Sequence, residues 1–310
     1  MPLPPTVAVD LRALVPAPTG IGVYTRSLLL ALAARHGMRY VGMAHRPPRE
    51  AGELASAGIG IEHHEAPLGV LWQQLRLPRR LVTISAATAR DLAFHFPQCA
   101  EKVRVVYPGI DPEFRPGTPE QIAATRRDLA TPEGYIFYAG TLEPRKNVGA
   151  LIDAWEVLRA EDPQTPPLVL AGPYGWGSER LARRIAALEA QGLLSLGRVE
   201  RSRLVRLFQA ARVFVYPSLY EGFGFPAAEA LACGVPVVVS NASSLPEVVG
   251  DAGLLADAGD AGALAAHIQA LLANTGRAAE LAARGIERAS RFLWDRAARE
   301  MEEVFREALG

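Results

Sequence analysis

From Tyr135 onward, continuous apolar runs alternate with stretches whose apolar residues recur at helical spacing. The runs are Tyr135 to Ala139, Leu168 to Ala171, Leu193 to Leu196, Val213 to Tyr216, Val235 to Val239 and Gly253 to Leu255, each the length of a buried strand. Between them, Val148 to Arg159, Ser178 to Gln191, Arg201 to Ala211 and Pro226 to Cys233 predict helices. Such alternation implies parallel strands joined by crossover helices, a doubly wound α/β sheet. Ligands of such sheets bind beyond the carboxyl ends of the strands.

The first third opens the same way. Val7 to Asp10 reads as a strand, Gly20 and Gly22 as a glycine turn and Tyr24 to Arg35 as a helix. Further strands are predicted at Arg39 to Ala44, Leu81 to Ser85 and Val103 to Val106, with a helix at Thr88 to Phe94. Prolines and glycines crowd the segment Tyr107 to Gly117, which reads as the hinge between two domains, residues 1–108 and 109–294. A crossover unit takes ~30 residues, so the first domain holds fewer than four and is a shortened Rossmann-like fold, whereas the second holds a full set.

Composition narrows the class. At 310 residues the chain exceeds the size at which single cores usually split, and 49% apolar content fills two. Its 33 basic and 33 acidic residues leave no global field to attract nucleic acid or an anionic membrane. The two cysteines, Cys99 and Cys233, support neither a disulfide framework nor a zinc site. The N-terminus reads as a first strand and not as a signal peptide, and the apolar run Leu28 to Ala34 is far below the ~20 residues that span a bilayer. These features predict a cytoplasmic protein not integral to a membrane.

The densest chemistry lies between Pro217 and Gly234. Glu221 and Glu229 are eight residues apart, the first on a glycine-bearing loop and the second inside a helix that Pro226 opens and Gly234 stops. A helix N-terminus favours negative charge, and Gly222 and Gly224 let a ligand approach the backbone, so the element suits a molecule with hydroxyls at both ends and charge between, such as a nucleotide-diphosphate sugar. An ordinary strand, loop and helix with two surface glutamates fits the same residues. Arg145 and Lys146 precede a helix start, where cations are disfavoured unless an anion is present, which points to a phosphate or to a solvated pair. Gly172 to Ser178 is glycine-rich and follows a strand, as a nucleotide-pocket loop or a plain turn would. Thr19 to Gly22 lacks the third glycine and trailing acid of a nicotinamide site. Trp72, Arg76, Arg79 and Arg80 form either a patch for an anionic membrane or lipid-linked acceptor, or a solvated face.

These motifs carry a resemblance. Tyr138 to Asn147, Ala171 to Gly175, the Glu221 to Glu229 element and Ser240 to Val248 stand in an order that resembles the family 4 glycosyltransferases (group 1) of the GT-B fold. Those are retaining enzymes with nucleotide-sugar donors, and the similarity is greatest to their bacterial mannosyltransferase branch. Val9 to Arg12 with Thr19 to Thr25 is similar to that family's first strand and glycine loop, and Arg291 to Trp294 to its late aromatic segment, after which the last helix, here 295–310, returns to the first domain.

The resemblance implies that Arg145 and Lys146 grip the donor diphosphate and that Glu221 binds hydroxyls of the transferred sugar. It implies that Glu229 binds the ribose, with Gly20, Gly22, Gly140, Gly172, Gly222, Phe223 and Gly224 around the donor. It implies no metal or other cofactor, a donor such as GDP-mannose, a glycan or lipid-linked acceptor, and peripheral contact with the inner face of the membrane. One departure stands out. The family carries a further strand pair, with a His-Asp-bearing strand end, where Arg79-Arg80 here runs directly into Leu81. His36, His45, His63, His64, His95 and His267 sit in no comparable motif.

The leading expectation is a retaining transferase that moves a hexose, mannose, from a nucleotide-diphosphate sugar to a saccharide. A glycoside hydrolase, which also needs two carboxylates, and a nucleotide-sugar-binding protein with an incomplete acceptor domain are the alternatives.

Overall fold

The computed structural model describes residues 6–11, 14, 20–44, 48, 50–63, 80–131 and 133–309. The chain forms two compact units. The first takes the described residues up to Ser85, then Ala89–Gly109 and the C-terminal stretch from Phe292; the second takes Ala86–Thr88 and Ile110–Arg291.

In the first unit, β1 (Thr6–Asp10), β2 (Arg39–Ala44) and β3 (Gly60–His63) form a parallel sheet in that order, and β4 (Leu81–Thr83) pairs in parallel with β5 (Val103–Val105). The helix after β1 spans Gly20–Ala33, so Gly20 and Gly22 lie in its first turn and not in a separate glycine turn. Its Leu28, Leu29 and Leu32 pack in one core with Leu11, Tyr40 and Leu54 and with Ala297, Ala298 and Met301 of the C-terminal helix Trp294–Leu309. That helix also carries a buried acid: Glu302 is 1% exposed and is matched by Arg35 at 3.2 Å and Arg306 at 3.1 Å.

The sequence pattern did not reveal β3 or the short helix Ala51–Ser56 before it. Both are too brief and too broken by small residues for a clear periodicity.

The second unit is a six-stranded all-parallel sheet: β6 (Ile136–Ala139), β7 (Leu168–Ala171), β8 (Leu193–Ser195), β9 (Val213–Tyr216), β10 (Val237–Ser240) and β11 (Gly253–Ala256), in the order β11-β10-β9-β6-β7-β8. Every residue of β6, β7, β9 and β10 is buried, as strands covered by helices on both faces must be. The chain runs outward from β6 through β7 to β8, then returns to the other side of β6 with β9 and continues outward through β10 to β11. The reversal lies between β6 and β9, the topological switch point where such sheets open a crevice for ligands.

The carboxyl ends of β6 and β7 approach closely. Gly140 donates to the Ala171 carbonyl at 2.9 Å, and Gly172 donates to Gly197 at 2.8 Å. A Cβ on Gly172, whose φ is +153°, would lie 1.9 Å from the Gly140 carbonyl oxygen, and one on Gly140 would meet the Tyr138 hydroxyl at 2.9 Å. Backbone packing therefore requires glycine at Gly172, and the Tyr138 side chain crowds any Cβ at Gly140.

This geometry yields a contrast. Gly172→Ala forces backbone apart in the core of the sheet and costs more than about 2 kcal/mol. Gly149→Ala, in the first turn of the helix Val148–Glu161 with nothing within 4 Å of the new Cβ, stabilises by roughly 0.5–1 kcal/mol. Urea unfolding of the two variants checks both signs.

Candidate active site

The loops leaving β6 and β9 meet beside the switch point. After β6 the chain makes one 3₁₀ turn, Pro144–Lys146, and enters the helix Val148–Glu161 through Asn147 in the left-handed region at φ +54°. Asparagine tolerates that conformation, and its side-chain amide donates to the Ala258 carbonyl at 2.6 Å. The turn aims Arg145 and Lys146 at the loop after β9.

Lys146 and Glu221 form the centre. The Lys146 Nζ donates to Glu221 Oε1 at 2.5 Å and to the Tyr216 hydroxyl at 2.7 Å, and lies 5.2 Å from the Tyr216 ring centre. Lys146 is 8% exposed and Glu221 7%. Arg145 sits further out: its guanidinium donates to the Tyr220 carbonyl at 2.6 Å and to Glu143 at 2.8 Å, and stands 3.6 Å from Glu221 Oε2. Burial pulls the Lys146 ammonium down from the ordinary lysine range, against the upward pull of Glu221. The Tyr216 phenol is pushed well above its usual range by burial and then by the Glu221 charge, so it stays protonated.

Hydroxyls hold the Glu221 loop in place. Ser243 and Ser244, just beyond β10, donate to the Glu221 carbonyl at 2.6 Å and 3.0 Å, and Ser244 reaches the Phe223 carbonyl at 2.8 Å. Ser240 donates to the Ser218 carbonyl, and the Ser218 hydroxyl in turn reaches the Arg145 carbonyl at 3.2 Å. The exits of the three adjacent strands β10, β9 and β6 are thus tied together.

The helix after the loop spans Phe225–Ala232, with Pro226 in its first turn and Gly224 as its cap at φ +100°. Glu221 lies on the loop and Glu229 within the helix. Burial raises the Glu229 carboxyl to about 7, with Arg201 lowering and Asp111 raising it. The two glutamates therefore sit in different charge environments, Glu221 with Lys146 and Arg145, Glu229 with Arg201 and Asp111.

Several readings of the sequence change here. The anion that Arg145 and Lys146 require is supplied by Glu143 and Glu221 of the chain itself, so those cations are no independent sign of a phosphate. The Phe223 ring is 1% exposed and packs edge-on against Phe225 at 5.3 Å, so the ring itself belongs to the core. Gly224 is required because a Cβ would meet Leu245 at 2.6 Å. Gly222 lies on the loop, and Gly20 and Gly22 lie in the first unit, both as expected. Arg80 is bound 2.8 Å from Glu307, so its charge is matched and not offered to a membrane. Thr19, Trp72, Arg76, Arg79, His45 and His64 lie outside the described residues. Tyr216 and Glu143, both in direct contact with the cations, were missed, because nothing in the apolar run Val213 to Tyr216 marks its last residue as polar in function.

Parallel sheets in both units, with a polar cluster at the switch point of the larger one, define a doubly wound α/β protein of two Rossmann-like units. The family follows from its relatives. The model for "Glycosyl transferases group 1" matches residues 121–291, and that for "Glycosyltransferase Family 4" matches residues 22–114. The chain belongs to the group 1 glycosyltransferases of family 4.

It is 37% identical over 227 residues to the O-antigen chain mannosyltransferase B of Escherichia coli, covering 73% of this chain and 60% of that protein. It is 36% identical over 247 residues to the D-inositol 3-phosphate glycosyltransferase of Salinispora tropica, covering 74% and 51%. The chain thus spans less than two thirds of the length of either relative. The crystal structure of a glycosyltransferase from Rickettsia africae ESF-5 superposes with a TM-score of 0.80 at 16% identity over 99% of both chains. Anabaena HepE in complex with UDP and glucose does so with a TM-score of 0.76 at 20% identity over 98% and 99%. The fold is GT-B. Among the described residues no helix is long and apolar enough to cross a membrane.

The raised Glu229 carboxyl has a pH consequence. Between 4.5 and about 7 the unfolded chain has released the proton that the folded chain still holds, so the wild type loses stability as pH rises through that window. Glu229→Gln removes this loss. Chemical denaturation on either side of the window measures it as a stabilisation by Gln that is larger at the higher pH.

Proposed function

We propose that the protein is a retaining hexosyltransferase that moves mannose from a nucleotide-diphosphate sugar, GDP-mannose, to a glycan or lipid-linked saccharide at the inner face of the membrane. The observation that carries this reading is the convergence of Arg145 and Lys146 with Glu221 at the switch point of the second sheet, beside the start of the helix Phe225–Ala232. Similarity to the E. coli mannosyltransferase supports the sugar, and HepE, in complex with UDP and glucose, supports a nucleotide-sugar donor for this fold.

The chemistry follows from the donor groups left open. An ammonium has three N–H groups, and Glu221 and Tyr216 take two of those on Lys146, so one remains for a phosphate oxygen. Arg145 has five N–H donors and stands nearer solvent, where it meets the second phosphate. Together with the helix N-terminus they stabilise the charge that develops on the departing nucleotide, a preorganised electrostatic effect. Glu221 keeps lone pairs for sugar hydroxyls, and Glu229, raised to about 7 and so partly protonated near neutrality, is suited to ribose hydroxyls because its protonated form can both donate and accept. Departure of the nucleotide and attack by the acceptor on one face retain the anomeric configuration without a protein nucleophile, and the cations take the place of a metal.

The hydrolase alternative loses its basis, since Glu221 is committed to cations and Glu229 belongs to a separate cluster.

The test is transfer from labelled GDP-mannose to saccharide acceptors, with the anomeric configuration of the product read by NMR. Lys146→Ala and Glu221→Gln are expected to lower kcat by roughly 100- to 1,000-fold. Unchanged rates in both, or an inverted product, contradict the proposal.

A further inference from the structure

Tyr216 is the last residue of β9 and is 1% exposed, yet it ends in a hydroxyl that faces the two charged groups of the site. It accepts from Lys146 Nζ at 2.7 Å while Glu221 Oε1 accepts from the same ammonium at 2.5 Å, so the hydroxyl and the carboxylate hold Lys146 together. Its ring stacks on Tyr138 at 5.8 Å and on Phe214 at 5.9 Å, which leaves the ring no freedom to swing. Backbone ties reinforce the same point, because the carbonyl of Arg145 accepts from Leu219 N at 2.9 Å. Lys146 is therefore held at its tip by the last residue of β9, and the residue before it is held at its main chain by the loop that follows.

We infer that Tyr216 is a positioning residue for nucleotide-diphosphate binding: its hydroxyl keeps Lys146 charged in a dry setting and directs the remaining N–H of that ammonium at the phosphate. The inference rests on the donor site proposed above. An ammonium removed from water and left with one partner gives up its proton more easily than one with two. The groups that face Lys146 are Glu221, Arg145 and Glu143 as charges, together with the Tyr216 hydroxyl. Of these, only Tyr216 is an uncharged acceptor, so its removal leaves the sum of charges unchanged.

The experiment is calorimetric binding of GDP and of UDP to the full chain and to Tyr216→Phe across a pH series from about 6 to about 11, a range that passes ordinary lysine titration at its upper end. Phenylalanine keeps the ring, its stacking and the cation above it, and deletes one oxygen. Tyr138→Phe is the control, since its hydroxyl donates to the Thr141 carbonyl at 3.1 Å and is a buried member of the same stack.

Wild-type binding is expected to weaken at alkaline pH as Lys146 loses its proton. In Tyr216→Phe that weakening moves to lower pH, with affinity near neutrality reduced by about tenfold, as the loss of one hydrogen bond to a charged group predicts. Tyr138→Phe keeps the wild-type pH profile. If the wild type binds and Tyr216→Phe follows it at every pH, or if both variants shift alike, Tyr216 has no positioning role. If the wild type binds neither nucleotide at any pH, the donor site itself is misassigned, which is a separate failure. A Tyr216→Phe protein that does not fold by circular dichroism contradicts the inference too, since the hydroxyl is then required by the fold and not by the ligand.

Discussion

The buried pair of Lys146 and Glu221 is the constraint around which the second unit is arranged. Two charges in so dry a place are costly to bury, and the cost is met only where further hydrogen bonds satisfy both ends. Here Tyr216 gives Lys146 a second acceptor, the Ser243 and Ser244 hydroxyls hold the Glu221 main chain, and Ser218 and Leu219 hold that of Arg145. The loops after β6, β9 and β10 have few conformations left. Such a site is rigid before a ligand arrives, which is what electrostatic stabilisation of a leaving group needs.

Sheet topology explains why the pair forms at this place. Because β9 returns to the inner side of β6, residues 75 positions apart leave adjacent strands at the same edge. The loops part there, one rising into the helix Val148–Glu161 and the other into Phe225–Ala232, and polar groups of both are brought to the crevice. Neighbouring strand ends are packed so closely that Gly140 and Gly172 have no room for a side chain. The polar cluster and the close-packed glycines share the carboxyl edge of one sheet.

Most of this sheet was legible in the sequence, because its strands are buried on both faces and read as unbroken apolar runs. The loop and helix around Glu221 and Glu229 were legible as well, since Pro226 and Gly234 mark the helix at both ends. Less visible was anything that depends on distant pairing. Tyr216 closes an apolar run and looks like core until Lys146 is placed above it. Gly224 was read as room for a ligand, and the contact that also keeps a side chain out, with Leu245, comes from a distant segment that the sequence does not pair with it. Arg145 and Lys146 seemed to call for an external anion, and only the fold brings Glu143 and Glu221 to them. A capping box at Thr118 and Gln121, which starts the helix Pro119–Asp128, was available in the sequence and was overlooked behind the proline-rich hinge.

The most direct measurement is a crystal structure of the protein with GDP or UDP bound. The account predicts the diphosphate at the switch point of the second sheet, with phosphate oxygens within hydrogen-bond reach of Lys146 Nζ and the Arg145 guanidinium and the ribose beside Glu229. A nucleotide bound elsewhere, with the contacts among Lys146, Tyr216 and Glu221 unaltered and no phosphate beside them, would contradict it.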